Sequence, residues 1–253
     1  SSRALFNLDH SHKIFKEKGI DAYAKHQQQN EHVVLEPGVG FTLVKKLLKL
    51  NSKKTPIDVI LLSRNSADTG LRIFNSIEHY DLNISRAAFT RGESTHPFVG
   101  AFEADLFLSS NYNDVQKALQ SGYAAASIVE SKSNNSHPSQ LRIAFDGDAV
   151  IFSDEAERIF QEKGLEAFHE NEILSEKIEL KAGPFKSFLV SLQKIQSTFP
   201  EENNPIRTAL VTARSAPSHR RVIHTMREWG IRIDESFFLG GLEKGVFLRQ
   251  FAA

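Results

Sequence analysis

The sequence contains no cysteine, one methionine and one tryptophan. Without cysteine there is no disulfide framework and no thiolate chemistry, and a reducing compartment is favoured, so the expected location is the cytoplasm. Charge of one sign is also missing. Lys plus Arg and Asp plus Glu stand at 31 each with no basic run, which leaves no electrostatic footprint for a nucleic-acid polymer. Long apolar runs are absent: "YAAASIV" at 123–129 falls far short of the roughly 18 residues of a membrane span. No stretch reads as a signal peptide, although the chain opens on Ser1 rather than Met, which is compatible with a removed leader or further N-terminal sequence. What is present is 253 residues, 40% apolar and 25% charged, enough for one large or two modest domains.

The chain repeats itself. "IFKEKGIDAY" (14–23) and "IFQEKGLEAF" (159–168) agree at six of ten positions, at an offset of 145. Downstream, "LLSRNSADTGLRIFNSI" (61–77) lies over "LVTARSAPSHRRVIHTM" (210–226), and "AAFTRGES" (87–94) over "SFFLGGLE" (236–243), at an offset of 149. The four-residue difference falls where "LNSKKTPID" becomes "IQSTFPEENNPIR", a polar connection where insertions cost little. A tandem duplication follows: a first copy at 1–129, a linker "ESKSNNSHPSQ" at 130–140, and a second copy at 141–253. Each copy alternates amphipathic helices ("FTLVKKLLKL", "FKSFLVSLQKI") with β-rich runs ("IDVILLS", "IRTALVT"). The expected class is α/β with parallel sheets, and chemistry at the carboxyl ends of strands.

The copies differ where chemistry would sit. Asp146, Gly147 and Asp148 fall on Ser1, Ser2 and Arg3, Thr212 on Ser63, Arg214 on Asn65, and Lys244 on Thr95. Only the second copy carries the charged set, so it is the candidate active unit. The first copy has no counterpart of the strand "LRIAF" and the second none of "DLFLSSNYNDVQKALQSGYAAASIV", which leads to the expectation that the chain is an excerpt of a longer protein.

Two carboxylates at a strand tip can bind Mg²⁺, a hard cation, and can then divide nucleophile and proton-shuttle duties. Gly147 between them lets the backbone approach a ligand, and a hydroxyl (Thr212) and an ammonium (Lys244) would complete a cradle for a phosphoryl group. Taken singly, each feature has an ordinary explanation. Asp-x-Asp occurs in turns, Thr212 could cap a helix, Lys244 could be a solvated lysine, and Arg214 could cap a helix end rather than bind phosphate. Phe152, Phe160 and Phe168 are candidates for stacking on a purine, but their spacing of eight also suits a buried helix face. His10 and His12 beside Asp9 form a weak metal signal. Trp229 and its counterpart Tyr80 read as packing residues, and "ENEILSEKIELK" (170–181) as solvated surface.

"FDGDAV", then "LVTARS", then the lysine of "GGLEKG" resemble the haloacid-dehalogenase superfamily. More closely, "FDGDAVIFSDEAERI", "TALVTARSAPS" and "FFLGGLEKGVFL" in this tandem layout are similar to the cytosolic 5′-nucleotidase type I family across nearly the whole chain. The resemblance implies tandem Rossmann-like units, the second with a small helical cap at about 152–188. It implies Asp146 as the nucleophile forming an aspartyl-phosphate, Asp148 as general acid and base, Thr212 and Lys244 as catalytic phosphoryl ligands, and Gly147, Ala213 and Arg214 around the phosphate. Phe152 and Ser215 would lie toward the substrate. Mg²⁺ would bind the Asp146 carboxylate and the Asp148 backbone carbonyl, with an acidic pair expected after Ala253. The implied activity is hydrolysis of nucleoside 5′-monophosphates such as AMP. Another small phosphomonoester, or a non-catalytic nucleotide-binding module, stays open, as do a nucleotide effector at the first copy and a homo-oligomer.

Overall fold

A computed structural model describes residues 1–129, 137 and 139–253, so most of the 130–140 linker lies outside the described residues. The chain divides into two compact units, Ser1–Ser131 and Lys132–Ala253.

The first unit runs α1 (Ser2–Leu5), α2 (Asp9–Gln29), α3 (Phe41–Lys49), β1 (Ile60–Ser63), α4 (Ala67–His79), β2 (Arg86–Phe89), α5 (Pro97–Ala101), β3 (Phe107–Ser109), α6 (Tyr112–Gln120) and β4 (Ala125–Ser127). Strands β1 and β2 pair in parallel, as do β3 and β4. Phe6, Leu35, Phe41, Ile73 and Ile77 join a core that gathers the apolar faces of α3 and α4 against Leu61 of β1.

The second unit runs β5 (Leu141–Asp146), a π turn (Gly147–Ile151), α7 (Glu155–Leu174), α8 (Lys186–Gln196), β6 (Ile206–Thr212), α9 (His219–Glu228), β7 (Glu235–Phe238) and α10 (Lys244–Phe251). Its parallel sheet has the order β5-β6-β7, with Asp146 level with Val211. The central strand β6 is buried at every position except Arg207, as a strand covered on both faces should be. Asp234 ties the sheet to α8, accepting from Thr208 N (2.8 Å), Thr208 Oγ1 (3.0 Å) and Gln196 Nε2 (2.7 Å).

The same bonds recur in both units. Gly38 N donates to Leu5 O and Gly183 N to Ile151 O, both at 2.8 Å. Phe6 bridges Pro37 as Phe152 bridges Ala182. Ser76 Oγ accepts from Leu35 N and donates to Arg72 O; Thr225 Oγ1 accepts from Leu180 N and donates to Arg221 O.

The two echoed segments are not single helices. Gly19 (φ 81, ψ −174) and Gly164 (φ 83, ψ −178) break α2 and α7 in a conformation that only glycine adopts readily. An isolated glycine within a run of helix-forming residues is tolerated, so the sequence read as uninterrupted helix.

Candidate functional site

The carboxyl ends of β5 and β6 carry Asp146 and Thr212. Asp146 Oδ1 accepts from Gly147 N (2.8 Å) and Oδ2 from Lys244 Nζ (2.6 Å). Lys244 opens α10, where the positive end of the helix dipole disfavours a cation. The Asp146 carboxylate offsets that cost, and a local rule broken in this way points to function rather than to folding. Lys244 is therefore an ion-paired, partly shielded lysine rather than a freely solvated one, its side chain 35% exposed.

Thr212 is fully buried and ends a strand. The helix-capping alternative does not hold for it, because α9 starts at His219 with Ser218 before it. Thr212 Oγ1 accepts from Arg214 N (3.2 Å), and a side chain at Gly147 would meet Thr212 Cβ and Oγ1 at 3.2 Å. Glycine is what lets the loop after β5 lie against the tip of β6.

The first turn of that loop is one residue longer than its counterpart. In the first unit Phe6 N donates to Ser2 O, four residues back; in the second Phe152 N donates to Gly147 O, five back. The additional residue lies in the segment that holds Asp148 and puts Ala149 at φ 61. A non-glycine residue at positive φ costs about 1–3 kcal/mol.

Asp148 is held by Arg214 through Nε (3.0 Å to Oδ2) and Nη2 (2.7 Å to Oδ1). Arg214 is 3% exposed, also pairs with Glu172 through Nη1, and stands over the Phe168 ring (5.4 Å). Neither a bare phosphate ligand nor a helix cap describes it in this arrangement. Glu172, 2% exposed, takes a second arginine on its other oxygen, Arg221 Nη1 at 2.8 Å. Burial alone would lower the Arg214 pKa, but the hydrogen bonds and charge of Asp148 and Glu172 hold it above its ordinary value.

Two readings of the sequence need correction here. Glu172 belongs to the run read as solvated surface, yet it is buried because two guanidinium groups neutralise it. Its signal lay in the repeat: Glu172 falls on Gln27 and Arg221 on Arg72, and Arg72 Nη1 donates to Gln27 Oε1 (3.1 Å). Phe152 is fully buried and packs on Trp229 at 5.6 Å, so its ring presents no open face to a base. Phe168 is 9% exposed beneath Arg214, Phe160 is 44% exposed, Ala213 is exposed and Ser215 is half-buried at the loop after β6. His10 lies against His26 (5.3 Å) and His12 against Phe15 (6.1 Å). Among the described residues no group of three or more His, Asp or Glu side chains could hold a metal. The Asp146 carboxylate at the β5 tip is an oxygen donor of the hard type that suits Mg²⁺, a cation that keeps several waters.

A carboxylate at one strand tip, a buried hydroxyl at the next and an ammonium bonded to the carboxylate stand together on a parallel α/β sheet. The chain belongs to the 5′-nucleotidase family, whose model matches residues 1–253. Among curated proteins, Cytosolic 5′-nucleotidase 1B of Homo sapiens is 39% identical over 262 residues, taking in 98% of this chain and 43% of that protein. The chain thus spans less than half the length of this relative. No solved structure matches it significantly.

Proposed function

We propose that the second unit is a Mg²⁺-dependent phosphomonoesterase of nucleoside 5′-monophosphates, and that the two units are diverged copies of which only the second is catalytic. The observation that carries the reading is Asp146 at the β5 tip, fixed between the Gly147 amide and Lys244 beside Thr212. The recurring hydrogen bonds support the duplication. The printed name of the relative supports the substrate class and a cytosolic location.

In this reading an Asp146 carboxylate oxygen attacks phosphorus and the ester P–O bond breaks, leaving an aspartyl-phosphate. Asp148 turns from Arg214, takes up a proton from solvent as it loses that cationic partner, and passes it to the leaving oxygen. It then takes a proton from water as that water attacks phosphorus, the Asp146–phosphorus bond breaks and phosphate departs. Thr212 and the Gly147 amide donate to phosphoryl oxygens, and Lys244 offsets the charge that builds on them. Arg214, anchored on Glu172, is the rest position for Asp148. Mg²⁺, held by the Asp146 carboxylate and the Asp148 carbonyl, would supply charge neutralisation between nucleophile and phosphate. Residues 152–188, with α7 and the return through Ala182, form the cap that limits water around the leaving group.

Phosphate release from AMP, other nucleoside monophosphates and sugar phosphates, with Mg²⁺ and with chelator, tests this. Nucleoside monophosphates are expected to be hydrolysed faster, chelator to stop release, and Asp146→Asn to lower kcat at least about a thousandfold with the fold intact. Preference for sugar phosphates would overturn the substrate class, and retained turnover in Asp146→Asn would overturn the nucleophile.

A further inference from the structure

We infer that the first unit carries a binding site of its own, a cleft that takes a small organic phosphate as ligand rather than as substrate. The cleft has a volume of about 810 Å³, within the range of small-molecule sites, and is bounded by residues from α2, the ends of β1 and β3, and the loop after β2.

The polarity of its wall is fixed by a chain of hydrogen bonds. Arg72 can only donate, and its Nη1 (3.1 Å) together with Ser11 Oγ (3.2 Å) occupies Gln27 Oε1. Gln27 therefore presents Nε2 to the Tyr23 hydroxyl (3.3 Å), and Tyr23 in turn donates to Asn65 Oδ1 (2.9 Å). The relay leaves Asn65 Nδ2 as a donor, buried and with no partner. An unmet buried donor costs about 1–3 kcal/mol, which a ligand acceptor recovers once a small shift of the side chain uncovers the amide.

Other groups on the same cleft also lack partners. Thr95 is 2% exposed and its Oγ1 has none. The exposed Arg91, whose backbone sits at φ 47, makes no side-chain hydrogen bond or ion pair among the described residues. Ser66 and Asn111, which cap the amino ends of α4 and α6, line the cleft as well, adding the favourable ends of two helix dipoles. Of the carboxylates there, Asp114 is held by Arg64 (2.6 Å) and Ser94, Asp68 accepts from Gln28 (2.7 Å), and Asp21 stands exposed.

The second unit shows what such a wall receives. The residue that falls on Asn65 is Arg214, whose fork holds the Asp148 carboxylate. Among the described residues of the first unit no carboxylate meets Asn65 Nδ2, and a ligand oxyanion takes that role. The cleft is far larger than an inorganic anion needs, and Phe15 (44% exposed) and Ile20 (57% exposed) offer an apolar surface to an organic body.

Hydrogen exchange of the intact 253-residue chain, read by mass spectrometry with chelator present, locates binding by unit. The probes are AMP, ribose 5-phosphate, inorganic phosphate and adenosine. Both phosphoesters are expected to slow exchange in peptides covering 60–70 and 88–98, while adenosine does not. Asn65→Asp keeps the Tyr23 bond but turns the free donor into an acceptor, and is expected to weaken that protection about tenfold in ligand concentration. Thr95→Val, read the same way, covers the case in which Asn65→Asp misfolds. Absence of protection with both phosphoesters, equal protection by adenosine, or unchanged protection in the folded variants would overturn the inference. Because the signal is read in the first unit without turnover, it stands or falls separately from the activity of Asp146.

Discussion

At the scale of single residues, the decisive arrangement is a buried series of alternating charges, Asp148, Arg214, Glu172 and Arg221, which sums to zero. Removing one member leaves an uncompensated charge in a medium that solvates it poorly, at a cost of about 3–5 kcal/mol. Glu172→Gln is accordingly expected to lower unfolding stability in urea by that amount, although it preserves shape. A loss under about 1 kcal/mol would show that water reaches the pair. Asp146, Asp148, Thr212 and Lys244 could be singled out in the sequence because their order and spacing form a pattern. Glu172 could not, because acidity on a charge-rich helix is the ordinary signature of exposure, and only the arginines arriving from α9 and the β6 loop reverse it.

At the scale of elements, helix and strand existence was legible wherever the period was long: α3, α4, α8, α9 and β6 stand where the apolar spacing places them. The breaks at Gly19 and Gly164 were not, since a glycine inside a periodic run reads as a tolerated weakness. Both adopt positive φ with extended ψ and have nothing within 4 Å of where a side chain would go. Gly19→Ala and Gly164→Ala should each reduce stability by about 1–3 kcal/mol through backbone strain alone, measured by thermal melting. No change would mean that α2 and α7 can straighten at these points. At Gly183 the obstacle is instead steric, with Val150 O and Phe152 O both 2.4 Å from an added Cβ.

At the scale of the whole chain, the balance of 31 positive against 31 negative residues leaves stability at acid pH to a few specific groups. Burial alone would raise the Asp234 and Asp114 carboxyls, but hydrogen bonds outweigh it and hold both below the usual range, from Thr208, Gln196 and Arg232 in one case and from Arg64 and Ser94 in the other. A depressed carboxyl gives its full stabilisation above the unfolded value near about 3.9 and loses it as pH falls through the folded one. His12 and His26 are also lowered, mainly by burial, so the unfolded chain binds those protons first and stability starts to decline below about 6.5. A shallow loss from about pH 6.5 followed by a steep one below about 4 is the expected urea-midpoint profile. Asp234→Asn should flatten the steep part, and an unchanged profile would assign acid sensitivity elsewhere. The α/β class could be read from one chain because helical and strand periods alternate along it. The pairing partners of β3 and β4 could not, because three-residue strands carry too little pattern.

The π turn between β5 and α7 has a wider consequence. Phe152 meets Ala182 just as Phe6 meets Pro37, and the residue gained within the turn is offset by one fewer before the next helix, since Phe6 and Asp9 are three apart and Phe152 and Asp154 two. The same number of residues thus follows two different paths over one kind of buried scaffold. What a strand tip presents to a ligand can therefore change with no insertion or deletion, by moving one residue from the run into the helix to the turn before it.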